Sequence, residues 1–267
     1  MCIARLSASQ LTAAGIASPT ILKASGALAS SGTVKVFAWQ NSVQPNIIEA
    51  FEAENGVTLY LMTYGSKDEP ESTVRANGGK GFGVVIPSFV RDSASLGGTF
   101  KGEQILLPFD WGTEGVTYNS ADMPIEGQVS YGDLWSDAAK GKAAFRQKSV
   151  IMGTGLYLDA QRIDPSNRML DVYKSEDGAR RVWGDVTKWI PERKDNFGAF
   201  WSNATEATPV FRDAGSIIGQ TWDTTGLLLN RENGDYLYRA PNEGIIIWLN
   251  SFGILKGAEK PIKQWHS

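Results

Sequence analysis

From residue 33 onward, short apolar runs alternate with segments of helical period. Residues 34–39 read as a buried strand. Pro45 then opens a helix in which Ile47, Ile48 and Phe51 share a face, with Gly56 just past its end. Residues 57–64 form a second strand and residues 68–77 a helix closed by Gly78 and Gly79; residues 82–86 form a third strand. Strand–helix–strand units of this length predict a parallel α/β sheet with crossover helices.

Residues 104–111 and 115–119 predict two further strands joined by Gly112, Thr113 and Glu114. Ser130 is placed to cap a short helix holding Leu134 and Trp135. The clearest helix spans residues 175–192, where Ala179, Val182, Trp183, Val186 and Ile190 make an apolar stripe. Trp183 and Trp189 are therefore read as packing residues. Residues 216–222, 236–240 and 244–248 complete a second set of strands. No repeat, charge block or low-complexity linker marks a boundary, which suits two lobes woven from one chain.

Composition narrows the chemistry. The chain has 267 residues, 42% of them hydrophobic, with 26 Lys and Arg against 29 Asp and Glu. The net charge of -3 gives no footprint for nucleic acid. There is one histidine, His266, and one cysteine, Cys2, so Ser-His-Asp and Cys-His devices and the common zinc sites lack their parts. Residues 6–22 carry no charge, follow Arg5 and lead to Ala27-Leu28-Ala29. This pattern predicts an export signal over residues 1–29, cleaved after Ala29, leaving a mature chain without cysteine.

Several aromatics fall at strand ends beside short polar residues: Trp39 with Gln40 and Asn41, Trp222 with Asp223, and Trp248 with Asn250 and Ser251. In open α/β sheets ligands bind at the carboxyl ends of strands. Indole faces beside carboxylates suit an organic cation, through cation–π attraction and charge-assisted hydrogen bonds. Spacing alone supports a cation site and a set of core tryptophans equally. Residues 77–81 are glycine-rich but lack the order of a phosphate loop. Asp110 and Glu114 could form the acid/base pair of a hydrolase.

At these residues the sequence resembles the periplasmic spermidine/putrescine-binding proteins of ATP-driven uptake systems. Val36-Phe37-Ala38-Trp39 with Pro45 is similar to that family's first strand and helix, and Thr63-Tyr64 followed by Ser66, Asp68 and Glu69 to its second strand end. Val84-Val85-Ile86-Pro87-Ser88 is similar to its third strand. Leu107-Pro108-Phe109-Asp110-Trp111-Gly112 resembles its hinge crossing, and Tyr131-Gly132-Asp133-Leu134-Trp135 the helix after it. Ile218-Gly219-Gln220-Thr221-Trp222 and Trp248-Leu249-Asn250-Ser251 resemble two later ligand segments. The ordered set covers most of residues 33–257.

The resemblance implies a two-lobed α/β fold of the periplasmic-binding-protein type II, with the ligand cleft between lobes. Lobe 1 is expected over residues 33–114 and 247–267, and lobe 2 over 115–246. The resemblance implies Trp39, Trp222 and Trp248 as aromatic walls, with Gln40 beside them and Ser88 as a polar contact. Asn250 stands where the family has an ammonium-binding aspartate, and Arg146, Gln147 and Lys148 where it has acidic ligand residues, so Asp223 is the expected anion. Only 15 residues separate Ser88 from Gln104, and the chain stops soon after the second crossing, so a shortened member is expected, with apolar sheet left uncovered. The expected function is periplasmic capture of a polyamine by a monomeric protein that delivers it to an ABC-transporter permease, without catalytic residue, cofactor, metal or nucleic acid. A binder of another small solute and a carboxylate hydrolase are the alternatives.

Overall fold

A computed structural model describes residues 32–40, 42–65, 68–89, 99–100 and 103–258. The expected export signal lies outside them. Thr33–Trp39 (β1) buries Val36, Phe37 and Ala38. Pro45–Asn55 (α1) carries its proline in the first turn and ends at Gly56, whose φ of 64° is a left-handed conformation that glycine adopts without a Cβ penalty. The helix forms, yet none of its residues is buried; Ile47 is 56% exposed, so its apolar face does not contribute to the core.

Thr58–Tyr64 (β2) pairs in parallel with one edge of β1. After Asp68–Asn77 (α2), Val84–Val85 (β3) takes the other edge, also parallel. Three two-residue strands follow, Ser88–Phe89 (β4), Thr99–Phe100 (β5) and Glu103–Gln104 (β6). Leu106–Asn119 (β7) is then a single strand of 14 residues where two were predicted. Gly112-Thr113-Glu114 stays extended because a partner strand pairs with it residue by residue, and that tertiary pairing overrides the glycine signal.

The second half contains Ala143–Arg146 (β8), Val150–Ala160 (α3), Glu176–Trp189 (α4), Phe197–Trp201 (β9), the short helices Ala204–Ala207 (α5) and Pro209–Arg212 (α6), Ile218–Trp222 (β10), Asp223–Glu232 (α7), Tyr236–Arg239 (β11) and Ile246–Ile254 (β12). The Ser130 cap is formed: its side chain accepts from the Gly132 amide while Asp133 accepts from the Ser130 amide. In α4, Ser175 caps the start and Val182 and Val186 are fully buried. The α-helix stops three residues short of the predicted end. Pro191 lacks an N–H and its ring crowds the preceding turn, and a 3₁₀ stretch, Ile190–Asn196, takes over.

The main sheet runs β2-β1-β3-β12-β7-β10-β8-β9, with β4 on β12 and β11 on β7. Long β7 and β12 are antiparallel and pair from Glu114–Ile246 to Leu106–Gly253, broken by a bulge beside Asn250. Among the described residues, β1 pairs with β2 and β3, and β3 and β4 pair with β12. Strand β8 pairs with β9 and β10, and β10 and β11 pair with residues 114–119 of β7. Carboxyl ends from both groups face the middle of β7: Trp39 and Tyr64 from one, Arg146, Trp201 and Trp222 from the other. Ile105, Leu107, Phe109 and Trp111 stand exposed, Trp111 by 68%.

Candidate ligand-binding site at the strand crossing

Register places the site's side chains. Asp110 on β7 lies opposite Asn250 on β12, and Gly112 opposite Trp248. Two residues further, Glu114 lies between Ile246 on β12 and Trp222 on β10. Alternation puts Asp110, Gly112 and Glu114 on one face of the ladder, together with Trp248, Asn250 and Trp222. A Cβ on Gly112 would fall 2.2 Å from Cζ2 of Trp248, so only glycine lets that indole lie across the strand.

The Asn250 side chain hydrogen-bonds the Asp110 carboxylate, which sits above its usual pKa because burial disfavours the charge more than this bond supports it. Oδ1 of Asp110 and Oδ1 of Asn250 are nonetheless buried without a hydrogen-bond partner. So are Nε1 of Trp248 and Nε1 of Trp39. Trp39 packs at 4.8 Å on the ring of Tyr64, whose hydroxyl donates to the Ile86 carbonyl. Burial first, and the Asp110 charge second, hold that phenol well above its usual pKa, so Tyr64 stays protonated. Buried polar atoms are normally paired, and leaving one unpaired costs about 1–3 kcal/mol. Among the described residues six buried side-chain atoms lack a partner, and four of them are these two indole donors and two oxygen acceptors.

The other end of the face is already satisfied. Arg146 Nη1 donates to Oε2 of Glu114 at 3.1 Å and to Ser149 Oγ at 3.3 Å. Gln220 Nε2 donates to Oε1 of Glu114 at 2.9 Å and to the Ser149 carbonyl at 3.0 Å. The Arg146 guanidinium also lies 4.5 Å from the centre of the Trp222 ring. Both carboxylate oxygens of Glu114 are thus engaged, an arrangement unlike a water-activating base beside Asp110.

The sequence-expected residues separate accordingly. Trp39, Trp248 and Asn250 supply unpaired polar atoms in the crossing region, and Trp222 faces Arg146. Ser88 pairs with Asn250 through β4, and Gln40 is exposed, its backbone N–H donating to the Tyr64 carbonyl. Asp223 starts α7; its Oδ2 accepts from the amide and hydroxyl of Thr113 at 2.7 and 3.0 Å, and its Oδ1 from the Thr224 amide. Asp110, read from sequence only as a hydrolase carboxylate, and Tyr64 are the additional residues the structure brings to Trp39 and Asn250. The pairing of β7 with β12 brings Asp110 to Asn250, which no local pattern carries, and the parallel register of β1 and β2 sets Tyr64 beside Trp39. No group of acidic, histidine or cysteine side chains suited to a metal occurs among the described residues.

No family model matches the chain. It is 19% identical to the spermidine/putrescine-binding periplasmic protein of Escherichia coli, over 89% of this chain and 74% of that protein. Its fold matches the PotD substrate-binding protein of a spermidine/putrescine ABC transporter from Streptococcus pneumoniae with a TM-score of 0.61, at 17% identity, covering 86% of this chain and 74% of that one. It also matches iron-bound HitA from Pseudomonas aeruginosa with a TM-score of 0.58, at 14% identity, covering 86% and 77%. The chain therefore has the fold of the type II periplasmic binding proteins, and its sequence is similar to the spermidine/putrescine-binding proteins among them.

Proposed function

We propose that this chain is the solute-binding component of an ABC uptake system and that it captures a small organic amine outside the cytoplasm. Polyamines, named in the curated relatives, are the first ligands to try. One observation carries the reading: a carboxylate oxygen of Asp110 and the amide oxygen of Asn250, facing each other across β7 and β12, sit buried and unpaired. A bound ammonium would complete Asp110 and the Asn250 oxygen, and Trp39 and Trp248 would face its alkyl chain and charge. The two groups of strands would be lobes, residues 33–114 with 247–267 and residues 115–246, closing on solute that both contact. Delivery would be to permease subunits of the uptake system, as the name of the spermidine/putrescine ABC-transporter neighbour suggests.

Calorimetry of the full chain with a panel of mono-, di- and polyamines tests this. Saturable one-to-one binding without turnover supports it. Absence of binding by every amine, or conversion of a ligand by Asp110, overturns it. Binding of a non-amine solute alone would favour a carrier of another specificity, as the iron-bound neighbour shows the fold can host.

A further inference from the structure

We infer that Arg146 restricts the site to solutes bringing a single ammonium, with an uncharged or anionic far end. This rests on the amine reading above and narrows it. The two ends of the face are four residues apart on β7, roughly 13 Å at about 3.3 Å per residue. Asp110 marks one end, with Trp248 opposite Gly112 between them. At the other end stands Glu114, 2% exposed, beside Trp222. These are the groups a second ammonium would need: an aromatic face and a carboxylate.

Both are already taken by a cation of the protein itself. The Arg146 guanidinium lies 4.5 Å from the Trp222 ring centre and 5.5 Å from that of Trp201. Its Nη1 binds Glu114 at 3.1 Å, and its side chain is 12% exposed. Gln220, 1% exposed, holds the remaining Glu114 oxygen, and Trp201 Nε1 donates to the Gln220 carbonyl at 3.2 Å. This end is therefore built and locked rather than open. An arriving ammonium would have to expel a guanidinium from a buried pair, or lie beside it with like charge. An uncharged or carboxylate end meets no such repulsion.

The test compares three four-carbon solutes by calorimetry on the full chain: butane-1,4-diamine, 1-aminobutane and 4-aminobutanoate. The expected result is that both single-ammonium solutes bind at least tenfold more tightly than the diamine. A second arm uses the double variant Arg146→Gln with Glu114→Gln, which removes both charges together so that neither is left buried alone. There the discrimination is expected to fall at least tenfold, since the Trp222 face is freed of its guanidinium. Diamine binding as tight as, or tighter than, both single-ammonium solutes overturns the charge restriction while leaving the amine reading intact. Unchanged discrimination in the folded double variant shows that Arg146 is not its source and also overturns the inference. Failure of all three solutes to bind overturns the inference, and failure of the whole amine panel overturns the amine reading with it.

Discussion

Asp110→Asn should stabilise the protein while weakening its ligand binding. In the unliganded protein the carboxylate keeps one buried oxygen without a partner, and the Asn250 oxygen opposite is also unpaired. The new amide can donate to that Asn250 oxygen. One neutral hydrogen bond contributes about 0.5–1.5 kcal/mol, and relieving an unsatisfied buried group contributes about 1–3 kcal/mol. A net gain of about 2 kcal/mol raises Tm by about 4–8 °C in a protein of this size. The same change removes a hydrogen bond to a charged group in the complex, worth about 1.5–3 kcal/mol, so amine affinity should fall about 10- to 150-fold. Differential scanning calorimetry and titration calorimetry on wild type and variant measure the two effects. A variant no more stable than wild type, with amine affinity within threefold, would refute the assignment of Asp110 as the unpaired anion.

Acidification should weaken amine binding, because the raised pKa of Asp110 brings its protonation closer to neutral pH; proton release on binding, read from calorimetry in buffers of different ionisation enthalpy, checks this. The stability sign follows the same shift: the native state binds the extra proton between the unfolded carboxylate value of about 3.9 and the raised native value, so the Tm advantage of Asp110→Asn should shrink as pH falls through that window. Gly112→Ala should displace the Trp248 indole, costing about 1–3 kcal/mol of stability and about 1–2 kcal/mol of amine binding, measured by thermal melting and titration. Asp223→Asn should cost about 1–2 kcal/mol of stability through its bonds to Thr113 and Thr224 while leaving amine affinity within threefold; a larger affinity loss would restore Asp223 as the principal anion.

How far the sequence is readable depends on where each element finds its partners. β1, α1, β2 and α2 are marked by local punctuation, Pro45, Gly56 and Gly78, and their boundaries fall within about a residue of the expected ones. Helix α3 has no readable stripe, because its sequence is mostly apolar and its glycines pack on neighbours: a Cβ on Gly155 would lie 2.2 Å from the Met169 sulfur. β8 is a four-residue strand, AAFR, too short to show a period. At the site, the tryptophans at strand ends stand out in sequence, whereas the Asp110–Asn250 pair depends on two strands 140 positions apart coming into register. Arg146 is legible in sequence as a basic residue where the resembled family has acidic ligand residues; that it covers Trp222 and binds Glu114 follows from the order of β7, β10 and β8 in the sheet.

The most direct test is a crystal structure of the chain with 1-aminobutane or 4-aminobutanoate bound. The ligand nitrogen is expected within hydrogen-bond distance of Asp110, its alkyl chain against Trp248, and Arg146 still seated on Trp222 and Glu114. A ligand whose nitrogen lies away from Asp110, or one bound outside the crossing of β7 and β12, would contradict it.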